Sequence, residues 1–287
     1  MGRFALRENC LGLEIHDGPR FIALYRVHEE LPRSESPKPC FAPLYTPSGS
    51  LITEYRPADH PWHTGLYFGW VHVNDANLWG GPWYIPEKEQ YEHVEQSHGL
   101  QRHERFVDLA VSGDNIASID EELSWLNAAD QPMACETRSF RISNIEGGYR
   151  YLISTRIEPA GDKVVIGASR AARYSGLELR MGPPFANANH YCSKGRQGHE
   201  EIMRQRARWV GARGNQGGFV AMMDHPRNPR HPVTWFTRKN LLGAGLLMEE
   251  DLELNRGEKL ELNYAFFVLD TDPGSEKLEA LYTAFSS

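Results

Sequence analysis

The sequence lacks the long apolar runs that membrane helices need, since no hydrophobic stretch approaches about 18 residues. Its first residues also lack the apolar run that marks a signal peptide. Cysteine is scarce, and the four residues Cys10, Cys40, Cys135 and Cys192 are far apart and form no CxxC pair. We therefore expect a cytoplasmic protein with four reduced thiols and no disulfide.

An excess of basic residues is also missing, because 38 acidic side chains outnumber 31 basic ones and the net charge is −7. Such a surface repels phosphate backbones, so neither nucleic acid nor a membrane is expected as a partner. The sequence contains no G-x-S-x-G elbow, no P-loop and no G-x-G-x-x-G after a strand. We therefore expect no cofactor bound through such motifs.

Helical periodicity is nearly absent, and short extended runs separated by turn residues take its place. Their spacing of roughly eight to twelve residues favours antiparallel sheets over βαβ units. One helix is predicted at residues 275–285, with Ser275 as its cap. The sequence thus predicts an all-β fold, a large antiparallel β-sandwich with a short C-terminal helix, as a single domain over residues 1–287. Strands are predicted at residues 21–27, 65–73, 106–111, 116–125, 135–143, 151–158, 163–169, 174–181, 218–223, 233–238 and 260–269.

The densest chemical segment places Asp59, His60 and His63 within five residues, in a turn that leads into a strand. Imidazoles titrate near neutral pH and a neighbouring carboxylate fixes their tautomer, so this group suits proton transfer. Metal binding is the competing chemistry, with His72 or His93 as a third ligand, but no H-E-x-x-H or Cys/His pairing supports it. In the structural alternative, both histidines bind loop backbone. We favour proton transfer and expect no metal.

The next strand ends in a polar and aromatic stretch that includes Asn74, Asn77, Trp79, Trp83 and Tyr84. Aromatic faces pack on the C–H side of a sugar while amides bind its hydroxyls. This stretch therefore suits a sugar pocket, although a Trp-rich core edge followed by a turn has the same composition.

A second Asp-His-Pro sequence begins at Asp224 and His225, and Asn228 and Arg230 follow in a proline-rich loop. Two such turns in one sandwich could face one pocket, with an imidazole on each side of a bound molecule. In the structural alternative, the prolines shape a turn and the Asp side chain caps it. The residues favour neither interpretation.

Three segments, residues 41–49, 59–70 and 224–230, together resemble the bacterial PmoA-like family, labelled "methane oxygenase PmoA". Where that family has His-Pro-His-His-Arg-Gly, this chain has Trp62 and Thr64 at the middle His and the Arg, and it keeps His60 and His63. The resemblance implies a role in carbohydrate catabolism. It also implies a fold similar to the galactose mutarotase-like supersandwich.

We therefore expect a carbohydrate-active enzyme that uses acid–base chemistry, a lyase or hydrolase acting on a 3-keto-glycoside or an anhydrosugar derivative. The alternative is a non-catalytic carbohydrate-binding or partner subunit. The expected partner is a small-molecule sugar, and a homodimer is compatible with the sequence. The predicted catalytic residues are His60, His63 and His225. The predicted substrate-binding residues are Asp59, Asn74, Trp79, Arg180, Asn187, Asp224, Asn228 and Arg230.

Overall fold

The structure is a computed structural model, and it describes residues 2–28, 30–85, 87–167 and 174–287. The first strands are β1 (Phe4–Asn9), β2 (Gly12–Asp17), β3 (Arg20–Arg26), β4 (Cys40–Leu44), β5 (Leu66–Val73), β6 (Ala76–Leu78), β7 (Trp83–Ile85), β8 (Gln90–Glu92), β9 (Leu100–Val111), β10 (Ala117–Leu126), β11 (Pro132–Ile145) and β12 (Gly148–Pro159). The later strands are β13 (Lys163–Gly167), β14 (Gly176–Arg180), β15 (Asn189–Cys192), β16 (Trp209–Arg213), β17 (Phe219–Asp224), β18 (Trp235–Arg238), β19 (Leu241–Gly245), β20 (Leu252–Asn255) and β21 (Leu260–Leu269). The α-helices are α1 (His199–Ile202) and α2 (Gly274–Ser286).

The strands form two large sheets and one hairpin. The larger sheet has 11 strands in the order β1-β2-β3-β4-β5-β14-β19-β18, with β6, β13 and β20 paired at its side. The smaller sheet has eight strands in the order β15-β16-β17-β21-β12-β11-β10-β9, and β7 pairs with β8. Neighbouring strands run antiparallel in both large sheets.

The main hydrophobic core lies between the two large sheets, because its buried side chains come from both of them. Aromatic rings make direct contacts across the interface: Trp70 and Trp125 have centroids 5.2 Å apart. Phe41 and Phe140 are 4.9 Å apart. Successive side chains of a strand point to opposite faces, so the strands that supply this core also present a second set of residues outward.

Strand β5 is buried on both faces. Phe68 and Trp70 point into the main core, whereas Tyr67 and Val71 point outward into a smaller cluster with Trp79. The outer face of an antiparallel sheet is commonly solvated and polar. Around β5 it is instead covered by loops, and that cover creates a cavity on this side of the sheet.

The outer face of the smaller sheet is covered by α2, whose buried side chains are Leu278 and Tyr282. The predicted helix is therefore present. The prediction of Ser275 as its cap is wrong, because the helix begins one residue earlier at Gly274. The amide of Gly274, the first residue of the helix, donates to Asp272 Oδ1 at 2.9 Å.

The predicted fold class, a large antiparallel β-sandwich with a short C-terminal helix, is confirmed. Residues 168–169 of one predicted strand lie outside the described residues. The four cysteines are free thiols, of which Cys40 and Cys192 are buried. Of the helices in the described ranges, none combines the length and apolar character that crossing a membrane requires.

Candidate functional site

A cavity of about 500 Å³ lies on the outer face of the larger sheet. Its floor is formed by outward-facing side chains of β5, β14, β18 and β19, which are neighbours in the sheet. Its walls come from the histidine-rich loop before β5 and from the segments around β6, β7 and β8. The lining residues are His60, Trp62, His63, Val71, Asn77, Trp79, Gly80, Pro82, Tyr84, Tyr91, Tyr174, Arg180, Phe236, Arg238, Asn240 and Leu241.

Glycines seat the two tryptophans of the cavity. Gly69 lies in the middle of β5, and a Cβ there would be 2.6 Å from Cε3 of Trp79. A Cβ on Gly81 would be 2.4 Å from Cε2 of Trp62. Glycine inside a strand is unfavourable unless something approaches the backbone closely. Here the indoles of Trp79 and Trp62 occupy the space that a Cβ would fill. The two glycines therefore determine the positions of these tryptophans in the cavity wall.

The loop that carries the histidines is closed by its own backbone. The Arg56 amide donates to the His63 carbonyl at 2.9 Å, and the His63 amide donates to the His60 carbonyl at 3.0 Å. This three-residue spacing stacks the two imidazoles, with centroids 5.1 Å apart and ring planes at 22°. The sequence spacing of His60 and His63 thus becomes a pair of adjacent rings on one wall of the cavity.

His60 has the hydrogen bonding of a base. Its Nδ1 lies 2.8 Å from Asp59 Oδ2, and a carboxylate only accepts, so Nδ1 carries a proton and, in the neutral ring, Nε2 has the lone pair. The hydrogen bond from His60 lowers the pKa of Asp59, which keeps the carboxylate ionised. The Asp59–His60 pair therefore holds the imidazole in the tautomer that accepts a proton through Nε2.

His63 has the opposite arrangement. Arg180 Nη1 lies 3.5 Å from His63 Nδ1, and because a guanidinium only donates, Nδ1 is the acceptor and Nε2 carries the hydrogen. Burial of His63 lowers its pKa well below the ordinary value, and the charge of Arg180 lowers it further. His63 is thus a neutral imidazole that donates a hydrogen bond through Nε2. Arg180 is itself held by Glu54, 2.9 Å from its Nε.

Five of the predicted residues come together here. His60, His63, Trp79 and Arg180 line the cavity, and Asp59 lies beside it against His60 and Arg180. Within the described parts of the chain, no three His, Cys, Asp or Glu side chains are placed to hold a metal ion.

The prediction that His225 shares this cavity is wrong. His225 follows β17 of the smaller sheet, and its ring contacts Phe285 of α2 with centroids 4.9 Å apart. Its Nδ1 accepts from the Arg227 amide at 3.1 Å, so the imidazole closes a turn. The two Asp-His-Pro segments adjoin strands of different sheets, and this separates them.

The remaining residues of the second Asp-His-Pro loop also have structural contacts. Asp224 is buried and accepts from His231 Nδ1 at 2.7 Å and from the Val233 amide at 2.8 Å. Asn228 donates to Asp224 Oδ1 at 2.8 Å. Arg230 donates to the carbonyls of Leu246, Glu250 and Asp251. Their prediction as substrate-binding residues of the histidine cavity is wrong, because these bonds use the side chains to shape the loop.

Asn74 and Asn187 lie elsewhere too. Asn74 closes the turn after β5, where its Oδ1 accepts from the Val165 amide at 2.9 Å. Asn187 lines a different cavity of about 690 Å³, together with His190 and His199. Neither residue lines the histidine cavity.

Sequence analysis did not single out several cavity residues as site residues. They include Tyr91, Tyr174, Phe236, Arg238 and Asn240, and of these Phe236 and Arg238 come from β18. Side chains two residues apart in a strand point to the same face of the sheet. The predicted strand at residues 233–238 could therefore have placed Phe236 and Arg238 on one face. No sequence signal places β18 close to the histidine loop.

A family match covers nearly the whole chain. Residues 13–283 match the sequence family described as "Family of unknown function (DUF6807)". The chain belongs to this family. The resemblance to the PmoA-like family is therefore wrong. The three segments behind it all contain proline near Asp, Asn, Ser or Gly, and such turn residues recur wherever strands meet tight loops.

Solved structures that match this chain include heparan sulfate lyase HepC from Pedobacter heparinus, at 8% identity and a TM-score of 0.44. That match covers 95% of this chain and 36% of HepC. The galactosidase domain of the α-galactosidase-sucrose kinase AgaSK is 13% identical with a TM-score of 0.34, and the match covers 63% of this chain and 28% of that one. The chain thus spans about a third of the length of these proteins. No curated protein matches it.

Proposed function

We propose that the cavity binds a sugar and that the protein transforms it by acid–base chemistry. The observation that carries this proposal is the combination of aromatic walls with two imidazoles in opposite tautomers. Trp62, Trp79 and Tyr84 offer ring faces for the C–H side of a sugar. A volume of about 500 Å³ is in the usual range of small-molecule pockets.

The proposed chemistry is removal of a proton next to a carbonyl and then loss of an oxygen substituent. Oxidation of a sugar hydroxyl to a ketone acidifies the neighbouring C–H bond. His60 Nε2 would take this proton, and the N–H of His63 together with Arg180 would stabilise the enolate oxygen. The C–O bond one carbon further then breaks, and the leaving oxygen receives a proton from the imidazolium of His60. A 3-keto-glycoside or an anhydrosugar derivative has the required functional groups.

Aromatic walls alone would equally suit a non-catalytic carbohydrate-binding subunit. The Asp59–His60 pair favours the enzyme, because a binding wall has no need for a carboxylate that fixes an imidazole tautomer. The two functions differ in the fate of the bound sugar, since the enzyme converts it to a product and the binding subunit releases it unchanged.

The test is a panel of neutral sugars, uronates and keto-glycosides, with binding followed by tryptophan fluorescence and conversion by mass spectrometry. His60→Ala should lower turnover by roughly 10²–10⁴-fold, the usual effect of removing a general base, while the melting temperature changes little. His225→Ala is the matched control, because it removes the histidine of the other Asp-His-Pro sequence. Binding of no sugar in the panel, or equal turnover in the two variants, would contradict the proposal.

A further inference from the structure

We propose that Glu178 is a further ligand-binding residue of the cavity, whose carboxyl engages a hydroxyl of the bound sugar from beneath the aromatic wall. This inference rests on the proposed function and concerns a residue that does not itself line the cavity.

Strand register places Glu178 directly under the cavity. It lies on β14 between Tyr67 of β5 and Gly243 of β19, and Gly243 is next to Phe236 of β18. Side chains two residues apart share a face, so Glu178 points to the same side as Arg180. Glu178 thus lies on the outer side of the sheet, beneath the cavity and between strands that form its floor.

Three aromatic rings cover this row. The ring of Tyr174 lies 4.5 Å from that of Trp79 and 4.5 Å from that of Phe236. Trp79 in turn contacts Tyr67, with centroids 5.9 Å apart. All of these except Tyr67 line the cavity. The Glu178 carboxyl therefore lies behind these rings, and the proposed contact with a sugar hydroxyl requires one of them to turn aside when the sugar binds.

The carboxyl has no partner among the described residues. Glu178 is 0% exposed, and neither of its oxygens has a hydrogen bond. The hydroxyl of its neighbour Tyr67 is also buried without a partner in the described part of the chain. A buried polar group without a hydrogen bond destabilises the fold, and an apolar side chain at the same place would not. Two such groups side by side point to a ligand that satisfies them.

Nearby Lys38 does not supply the missing bonds. Its Nζ lies 3.2, 3.0 and 2.9 Å from the carbonyls of Glu35, Ser36 and Trp79, which uses all three of its N–H donors. Burial raises the pKa of Glu178 well above its ordinary value, although the charge of Lys38 opposes this. An uncharged carboxyl both donates and accepts, as a sugar hydroxyl does.

The sequence makes room for this carboxyl. A Cβ on Gly243 would be 3.0 Å from Cδ and Oε1 of Glu178, tighter than an ordinary contact. The absence of a side chain at Gly243 therefore leaves the space that the Glu178 carboxyl occupies.

The first test asks whether the carboxyl is reachable and needs no sugar. Dicyclohexylcarbodiimide, an apolar reagent, modifies protonated carboxyl groups, and mass spectrometry of the folded protein locates the product. Glu178 should be modified, whereas the similarly buried Glu35 should not, because its carboxylate is paired with Arg56 at 2.7 Å. Glu178 left unmodified on the folded protein, under conditions that modify it after unfolding, would overturn the inference even if sugars bind.

The second test separates stability from binding. Glu178→Leu should raise the melting temperature by about 2–6 °C, because it removes a buried unsatisfied group, and should weaken binding of the best sugar in the panel at least tenfold. Glu178→Gln keeps the shape and the hydrogen-bonding capacity, so its affinity should lie between those of the other two proteins. A stabilised Glu178→Leu variant with unchanged affinity would show that the carboxyl has no role in binding. A Glu178→Leu variant that fails to fold, with a Glu178→Gln variant that binds like the original protein, would also overturn the inference.

A third outcome concerns the proposed function rather than Glu178. If no sugar in the panel binds, the carbohydrate proposal fails. The carbodiimide experiment alone then tests whether Glu178 is a ligand-binding residue. Modified Glu178 then still supports a ligand-binding carboxyl, while unmodified Glu178 overturns it.

Discussion

Replacement of Gly69 by alanine should displace Trp79 and weaken both the fold and the cavity. The new Cβ would lie 2.6 Å from Cε3 and 2.8 Å from Cζ3 of the indole, and 3.0 Å from Cε2 of Tyr67. Carbon atoms in contact are ordinarily about 3.5–4.0 Å apart, so the indole has to move by about 1 Å. Trp79 is buried between the sheet and the cavity and has little room to do so. Overpacking of this kind costs about 1–3 kcal/mol.

The assay is urea denaturation followed by tryptophan fluorescence, combined with titration of the same panel of sugars. Gly161→Ala is the matched control, because a Cβ at Gly161 meets nothing within 4 Å and the backbone there does not have positive φ. That control should be neutral or gain about 0.4–1 kcal/mol from a stiffer unfolded chain. Equal unfolding midpoints and equal sugar affinities in the two variants would refute the idea that Gly69 seats Trp79.

Two further predictions concern histidine chemistry. Burial lowers the pKa of His190 from 6.5 to about 4, so the unfolded chain binds this proton more tightly and stability is lost as the pH falls below about 6.5. His190→Gln should remove about 1.6 kcal/mol of this loss between pH 6.5 and 5, measured by urea denaturation, and a constant difference between the two proteins would contradict it. Asp59→Asn should lower turnover less than His60→Ala does, because it disturbs the tautomer of His60 and leaves the imidazole in place. An Asp59→Asn variant as slow as His60→Ala would contradict this and would mean that Asp59 takes part in the reaction directly.

The sandwich could be predicted because burial on one face leaves a pattern in the sequence. Along β10 buried and half-buried residues alternate, and the predicted strand at residues 116–125 agrees with the observed Ala117–Leu126. The alternating charge of residues 204–208 predicts the solvated face of a strand, and this prediction is wrong. Arg204 has φ of 60° and lies in a turn, while the Arg206 guanidinium binds Glu249. Alternating charge in a loop has the same period as a strand, and sequence alone does not separate them.

The histidine pair could be predicted because its geometry is local. His60 and His63 are three residues apart in one closed turn, so their spacing fixes their proximity. The position of His225 depends on which sheet its strand joins, and the repeated Asp-His-Pro carries no information about that. Phe236 lines this cavity, and Glu178 lies beneath it, only because β14, β19 and β18 are neighbours out of chain order. That order is a property of the whole fold.

The two faces of the larger sheet separate the hydrophobic core from the cavity along a single strand. In β5, Phe68 packs into the core shared with the smaller sheet, whereas Gly69 and Val71 face the cavity side. The smaller sheet differs, since α2 packs directly on its outer face and leaves apolar contacts there. On the larger sheet, loops and aromatic rings cover the outer face at a distance, and the remaining space is the cavity. Adjacent residues of β5 therefore have different roles: changes at the inward positions act on the free energy of unfolding, and changes at the outward positions act first on the shape of the cavity.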